Sequence, residues 1–212
     1  MKTALIVSGG WDGHQPQVVA ERLEAELGKY LKVERAEALE ALAAPNDLSQ
    51  FSVIIPNWTM GALPPEAGKG LFEAVRGGIG LAGIHGGMGD AFRGNTDYEW
   101  MVGGHFVGHP HVGDYAVSIV NADHPITQGL PRTFPYRSEE YYLLTDPANE
   151  VLAEAAYVHE DRKCMMPVAW TKRWGKGRVF YSSLGHDPKE FTQFPEAFEL
   201  AIRGIRWAAG AL

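Results

Sequence analysis

Cysteine is nearly missing from these 212 residues, with Cys164 the single one. One thiol excludes an internal disulfide and a cysteine-based zinc cage, and it fits a reducing cytoplasm. Beside Met165 and Met166 it reads as a small buried hydrophobe. Positive charge is also in short supply: 19 Lys and Arg stand against 26 Asp and Glu, a net charge of -7. The phosphate-neutralising attraction that drives nucleic-acid binding is therefore not expected, and neither is docking on an anionic membrane. Long apolar runs are lacking too. Ala4 to Val7 is too short for a signal-peptide core, and no stretch approaches a membrane span. There is no low-complexity tract, and 45% hydrophobic residues suffice for one core, so a single domain over 1–212 is expected.

What is present is punctuation by glycine. Residues 3 to 8 form an apolar run ending in Ser8-Gly9-Gly10-Trp11-Asp12-Gly13-His14, and Pro16 is placed to open a helix. Val19, Leu23, Leu27 and Tyr30 then recur on one helical face. Val53 to Ile55 reads as a second strand, Pro64 to Gly77 as a helix, and Ile79 to Ile84 as a third strand. This alternation predicts an open, mostly parallel, doubly wound α/β sheet with helices on both faces. From Gly103 to Pro147 periodicity is weak, which reads as site-forming loops around a strand at Tyr115 to Val120. Val168 to Thr171 and Arg178 to Ser182 flank Trp174-Gly175-Lys176-Gly177 as a β-hairpin. A closing helix carries Phe198, Ile202, Ile205 and Ala209 on one stripe.

Ligands of open α/β sheets gather beyond the carboxyl ends of the strands, so motifs that follow strands carry the most weight. His14 closes the first glycine loop. Ser8 replaces the first glycine of a dinucleotide fingerprint, which disfavours nicotinamide binding despite Glu34 at a suitable distance. Gly83-Ile84-His85-Gly86-Gly87 has the elbow pattern that presents one side chain at the top of a sheet; here it presents imidazole, a general base or metal ligand. Leu184-Gly185-His186-Asp187 follows another strand, and Asp187 is placed either to orient the His186 ring or to cap a helix before Pro188. His105, His109 and His111 are spaced to chelate a divalent metal such as zinc, in helical or extended pairs. Of Glu139 and Glu140, strand alternation lets only one face a crevice.

Together, the opening loop to His14, Gly83 to Gly87, Gly103-Gly104-x-Phe106-x-x-His109-Pro110, Asp123-His124-Pro125-Ile126, Glu140-x-Tyr142, and Gly177 to Tyr181 leading to Gly185-His186-Asp187 resemble the ThuA-like (trehalose utilisation) family. The resemblance implies the class I glutamine amidotransferase-like, flavodoxin-like fold. It also implies a carbohydrate substrate, oxidised or keto-disaccharides included. In the wider fold a catalytic cysteine stands at the elbow; His85 takes that place here, which excludes a thiolate glutaminase. The expected enzyme is a hydrolase, lyase or isomerase with His85 and His186 as acid and base and Asp187 as orienter. Trp11, His14, Gly86, His109, Glu140 and Tyr142 are the expected substrate contacts. A divalent metal is an optional cofactor, and the expected partner is a small-molecule carbohydrate, with homo-oligomerisation left open. The alternative is a non-catalytic sugar-binding or regulatory protein on the same fold.

Overall fold

The computed structural model describes the backbone of residues 1–212 and every side chain except that of His159. Strand β1 (Thr3–Gly10) leads through a short 3-10 turn to helix α1 (Pro16–Leu27) and strand β2 (Lys32–Ala36). Then come β3 (Val53–Thr59), α2 (Pro65–Gly77), β4 (Gly80–Ile84), the one-turn α3 (His85–Gly89) and α4 (Thr96–Val102). Four long strands follow: β5 (Gly104–Ile119), β6 (Thr133–Thr145), β7 (Glu150–His159) and β8 (Arg162–Trp174). The chain closes with β9 (Gly177–Ser182), the short α5 (Glu190–Gln193) and α6 (Pro195–Ala208).

All nine strands form one sheet, in the order β2-β1-β3-β4-β9-β8-β7-β5-β6. The first five in that order run parallel and the remaining pairings are antiparallel. Ala4, Ile6, Val53, Ile54 and Ile55 are fully buried, because helices cover both faces of the parallel half and leave no side for polar residues. Val19, Leu23 and Leu27 of α1 pack with Leu200, Ile202 and Ile205 of α6 on one face, and Leu71 and Val75 of α2 with Tyr98 and Met101 of α4 on the other.

Three expectations change. The stretch from Gly103 to Pro147 is not mainly loops but the β5–β6 hairpin, and antiparallel structure extends well beyond one C-terminal hairpin. Its periodicity is hidden by two register shifts, one between Phe106 and Gly108 and one between Gly108 and His111, where extra β5 residues bulge opposite β6 and Pro110 removes a ladder donor. Tyr30 lies beyond the end of α1 and is exposed, so it leaves the helical stripe. Cys164 is exposed, because it stands where β7 and β8 extend outward as a hairpin.

One pairing positions the chemistry. β4 and β9 are parallel neighbours with Ile84 opposite Ser182, so the residues that follow each strand emerge side by side at one sheet end. β3 is the next strand over, and its Thr59 pairs with Gly10 at the end of β1.

Candidate active site

His85 starts α3 at φ 44, the left-handed region that a residue with a Cβ enters at a cost of about 1–2 kcal/mol. Its ring is 2% exposed. Nδ1 lies 2.8 Å from the Ser183 carbonyl, which can only accept, so Nδ1 carries the proton and Nε2 turns a lone pair into the crevice. The Tyr141 hydroxyl, 2.8 Å from Nε2, donates to it. Burial first, then Tyr181, Glu139 and Asp90, push the Tyr141 phenol well above its ordinary range, so it keeps its proton.

His14 enters from the other side. Its Nδ1 meets the buried Thr59 hydroxyl at 2.8 Å, which leaves Nε2 for the centre. Space for the ring exists because residue 86 is glycine: a Cβ there would stand 2.4 Å from Cε1 of His14. Burial, and then the neighbouring His85 and His186, lower the His14 imidazole to about 3, so it is neutral across the physiological range. His186 projects from the loop after β9, with Nδ1 3.3 Å from His85 Nε2. Its imidazole is lowered by burial and by His85, against the opposing pull of Glu139. The three rings are mutually edge-on, with centroids 4.9, 5.1 and 5.2 Å apart.

Glu139 closes the set. Its Oε2 lies 3.4 Å from both His85 Nε2 and His186 Nδ1, and its Oε1 lies 3.5 Å from His109 Nε2. Burial raises the Glu139 carboxyl, but the neighbouring imidazoles of His85, His186 and His109 outweigh it and bring it down to about 2. Among the described residues, His14, His85, His186 and Glu139 are the group whose ligand atoms all fall within 4.8 Å of one another, the arrangement that could hold a metal ion. A cavity of about 850 Å³ opens among Lys2, Ser52, Lys176 and Arg178, at the start of the strands and away from these groups.

The other expected residues fall in several places. Trp11 is half exposed beside His14, with ring centroids 4.9 Å apart, and forms a rim. Gly86 is the floor just described. Asp187 is tied elsewhere than to the His186 ring: its carboxylate accepts the Lys189 N–H at 2.8 Å and its carbonyl accepts from Glu190, a turn that leads into α5, whose N-cap residue is Lys189 rather than Asp187. Glu140 is on the wrong face. β6 alternates, so Tyr136, Ser138 and Glu140 look one way while Glu139 and Tyr141 look to the histidines; Glu140 is buried opposite His111, and its Oε1 has no partner among the described residues. Burial raises its carboxyl, opposed by His111. Tyr142 shares that face and packs on Tyr157. The trio His105, His109 and His111 does not converge as a metal site. His105 pairs with Glu99 at 3.3 Å, His111 sits across from Glu140, and only His109 reaches the centre, as a neighbour of Glu139.

Sequence reasoning missed Tyr141 and Thr59 and chose the wrong glutamate. The Glu139-Glu140-Tyr141-Tyr142 run announces the strand but not its parity, which is set by distant pairings such as Tyr115 with Tyr136.

No curated protein sequence matches the chain. A ThuA-like protein from Bacteroides uniformis superposes with TM-score 0.79 at 18% identity, over 98% of this chain and 91% of that one. A ThuA-like protein from Parabacteroides merdae does so with TM-score 0.79 at 20% identity, over 99% and 90%. A β-galactosidase from Bacillus circulans sp. alkalophilus shares the fold in part: TM-score 0.64 at 15% identity, over 99% of this chain but 31% of that enzyme. The family model for ThuA, trehalose utilisation, matches residues 3–208, and the chain belongs to that family.

Proposed function

We propose that this protein is a metal-dependent enzyme acting on a carbohydrate or carbohydrate derivative, with His14, His85, His186 and Glu139 as ligands to a divalent transition ion such as zinc. One observation carries the reading: His85 Nε2, His186 Nδ1 and Glu139 Oε2 form a triangle with edges of 3.3, 3.4 and 3.4 Å. Ligands bound at about 2.0–2.1 Å in a tetrahedron are separated by about 3.3–3.4 Å, so the triangle has the dimensions of one tetrahedral face. The donor set agrees. Nδ1 of His85 and Nδ1 of His14 are each tied to an oxygen, the outer contact that fixes the tautomer and aim of a ligating imidazole.

A bound ion would polarise a sugar carbonyl or hydroxyl oxygen by expanding its coordination to take that oxygen as a fifth ligand beside the four side chains. An ion on His85 Nε2 would take the lone pair that Tyr141 meets, so the Tyr141 hydroxyl, kept protonated, would turn to donate to substrate on one side, and half-exposed His109 is the base on the other, aligned by Glu139 Oε1. Trp11 offers an apolar ring face to the pyranose. His85 and His186 thus act as ligands rather than as the acid and base themselves. The family points to trehalose utilisation, and keto-glycosides are the first substrates to try. The exposed Cys164 thiol suits a cytoplasmic location, as do two Salmonella structures of this fold described as cytoplasmic proteins. Among the described residues no helix is long and apolar enough to cross a membrane.

The test is turnover of 3-keto-glycosides by protein whose metal content is measured. Activity that follows bound zinc, cobalt or manganese and is abolished in His186→Ala supports the reading; full activity of metal-free protein refutes it. Binding without product would favour the sugar-binding alternative, which the imidazole at the elbow motivates.

A further inference from the structure

The loop that carries His186 has no ladder of its own. β9 ends at Ser182, α5 starts at Glu190, and Gly185 between them sits at φ 105. A metal ligand on such a loop needs an external anchor, since ligand positions in a metal site are held to about 0.2 Å. The anchor is a buried carboxylate. Glu190 is 7% exposed; its Oε2 accepts the backbone N–H of His186 at 3.0 Å and the Tyr136 hydroxyl at 2.5 Å, while Oε1 accepts the Ser138 hydroxyl at 2.7 Å. The Tyr136 oxygen in turn accepts the N–H of Gly185 at 2.8 Å. Two consecutive amides of the loop therefore end on one Tyr136–Glu190 pair.

The same strand also supplies the carboxylate ligand. Tyr136 and Ser138 hang from the back face of β6, and Glu139, the next residue, points forward to the histidines. We infer that Glu190 is a positioning residue: it clips the His186 loop to the back of β6 and thereby sets the 3.4 Å spacing between His186 Nδ1 and Glu139 Oε2 on the front. The hydrogen bonds of Glu190 go to the His186 backbone and to β6, so it holds the loop through the backbone, and its charge adds only a lesser pull on the His186 imidazole. This inference rests on the metal-centre reading.

Cobalt(II) titration of the full chain, followed by its visible d–d absorption, tests the clip. Glu190→Ala and Tyr136→Phe should each weaken cobalt affinity by about 10–100-fold and reduce the intense four-coordinate band. Glu190→Gln keeps an acceptor for His186 N–H and a donor for Ser138, so it should restore affinity to within about threefold of wild type. A folded Glu190→Ala with wild-type affinity and spectrum overturns the proposal. If Glu190→Ala does not fold, Tyr136→Phe and Glu190→Gln decide in the same way. Wild-type protein that binds no cobalt would refute the metal centre instead. The clip is then read by amide exchange: exchange at Gly185 and His186 at least about tenfold faster in Tyr136→Phe, with the sheet unchanged, upholds it, and unchanged exchange there overturns it.

Discussion

Replacing Gly86 with alanine puts a methyl group where a hydrogen was, and the structure says where it goes. The new Cβ would lie 2.4 Å from Cε1 and 2.5 Å from Nδ1 of His14, and 3.1 Å from the Tyr141 hydroxyl. Non-bonded carbons settle at about 3.5–4.0 Å, so the His14 ring must withdraw by about 1 Å or more. It cannot do so in place, because Nδ1 is held by Thr59; it has to leave that hydrogen bond and swing toward Trp11 and solvent. A displacement of that size is several times the tolerance of about 0.2 Å in a metal–ligand distance, and the centre falls from four ligands to three. Zinc affinity should drop by at least about 100-fold, beyond what disturbing an outer contact causes. Overpacking and the lost Thr59 bond should also lower metal-free stability by about 1–3 kcal/mol. The assay is zinc competition against a chromophoric chelator, beside thermal melts with and without zinc. Wild-type zinc affinity in a folded Gly86→Ala protein would show that His14 is no ligand and refute the reasoning.

Chelation should lower the melting temperature of wild-type protein and zinc should restore it, since an ion at 100 times its Kd stabilises the folded state by about 2.7 kcal/mol; a chelator-insensitive melt of zinc-loaded protein would contradict this. Glu139→Gln should lose metal, whereas Glu140→Gln should be neutral or stabilising, because its Oε1 is buried without a partner; equal loss in both would mean the assigned β6 parity is wrong. In the metal-free protein, His14 is lowered to about 3 and Glu139 to about 2 when folded, from ordinary values of 6.5 and 4.5. On acidification the unfolded chain therefore takes up protons the folded chain refuses. Stability should fall from pH 6.5 toward 3 for His14 and from 4.5 toward 2 for Glu139, as urea midpoints across pH would show; a flat profile for wild type would contradict the assignment. Trp11→Ala should raise KM for a keto-glycoside with little change in kcat, because the indole sits on the rim and not among the ligands.

How much of this was readable in the residues depends on how local the signal is. β1, β3 and β4 announce themselves because strands covered on both faces need unbroken apolar runs, and the glycine loops after β1 and β4 mark where His14 and His85 emerge. His186 was legible for the same reason, as a residue just beyond an apolar strand. The β5–β6 hairpin was not. Its bulges around Gly108 to Pro110 break the alternation, and most of β5 is solvated on one side, so the pattern resembles loop. The choice between Glu139 and Glu140 was beyond local reading, since a one-residue slip exchanges the two faces. The spacing of the cluster dense in histidine suggests metal ligands there, yet the side chains that converge as a candidate ligand set come from residues 14, 85, 139 and 186.

β9 is the last strand of this sheet in chain order and the middle one in space, wedged between β4 and β8. A chain that has emitted residues 1 to 174 thus has two half-sheets whose facing edges, on β4 and β8, lack the strand that pairs with both. Until the final segment slots into that gap, the Ser183 carbonyl that sets the His85 tautomer and the His186 ring are both elsewhere. Under the proposed metal reading, the centre is therefore completed in one late event, and a product cut short before residue 183 should be unable to trap an ion in this place.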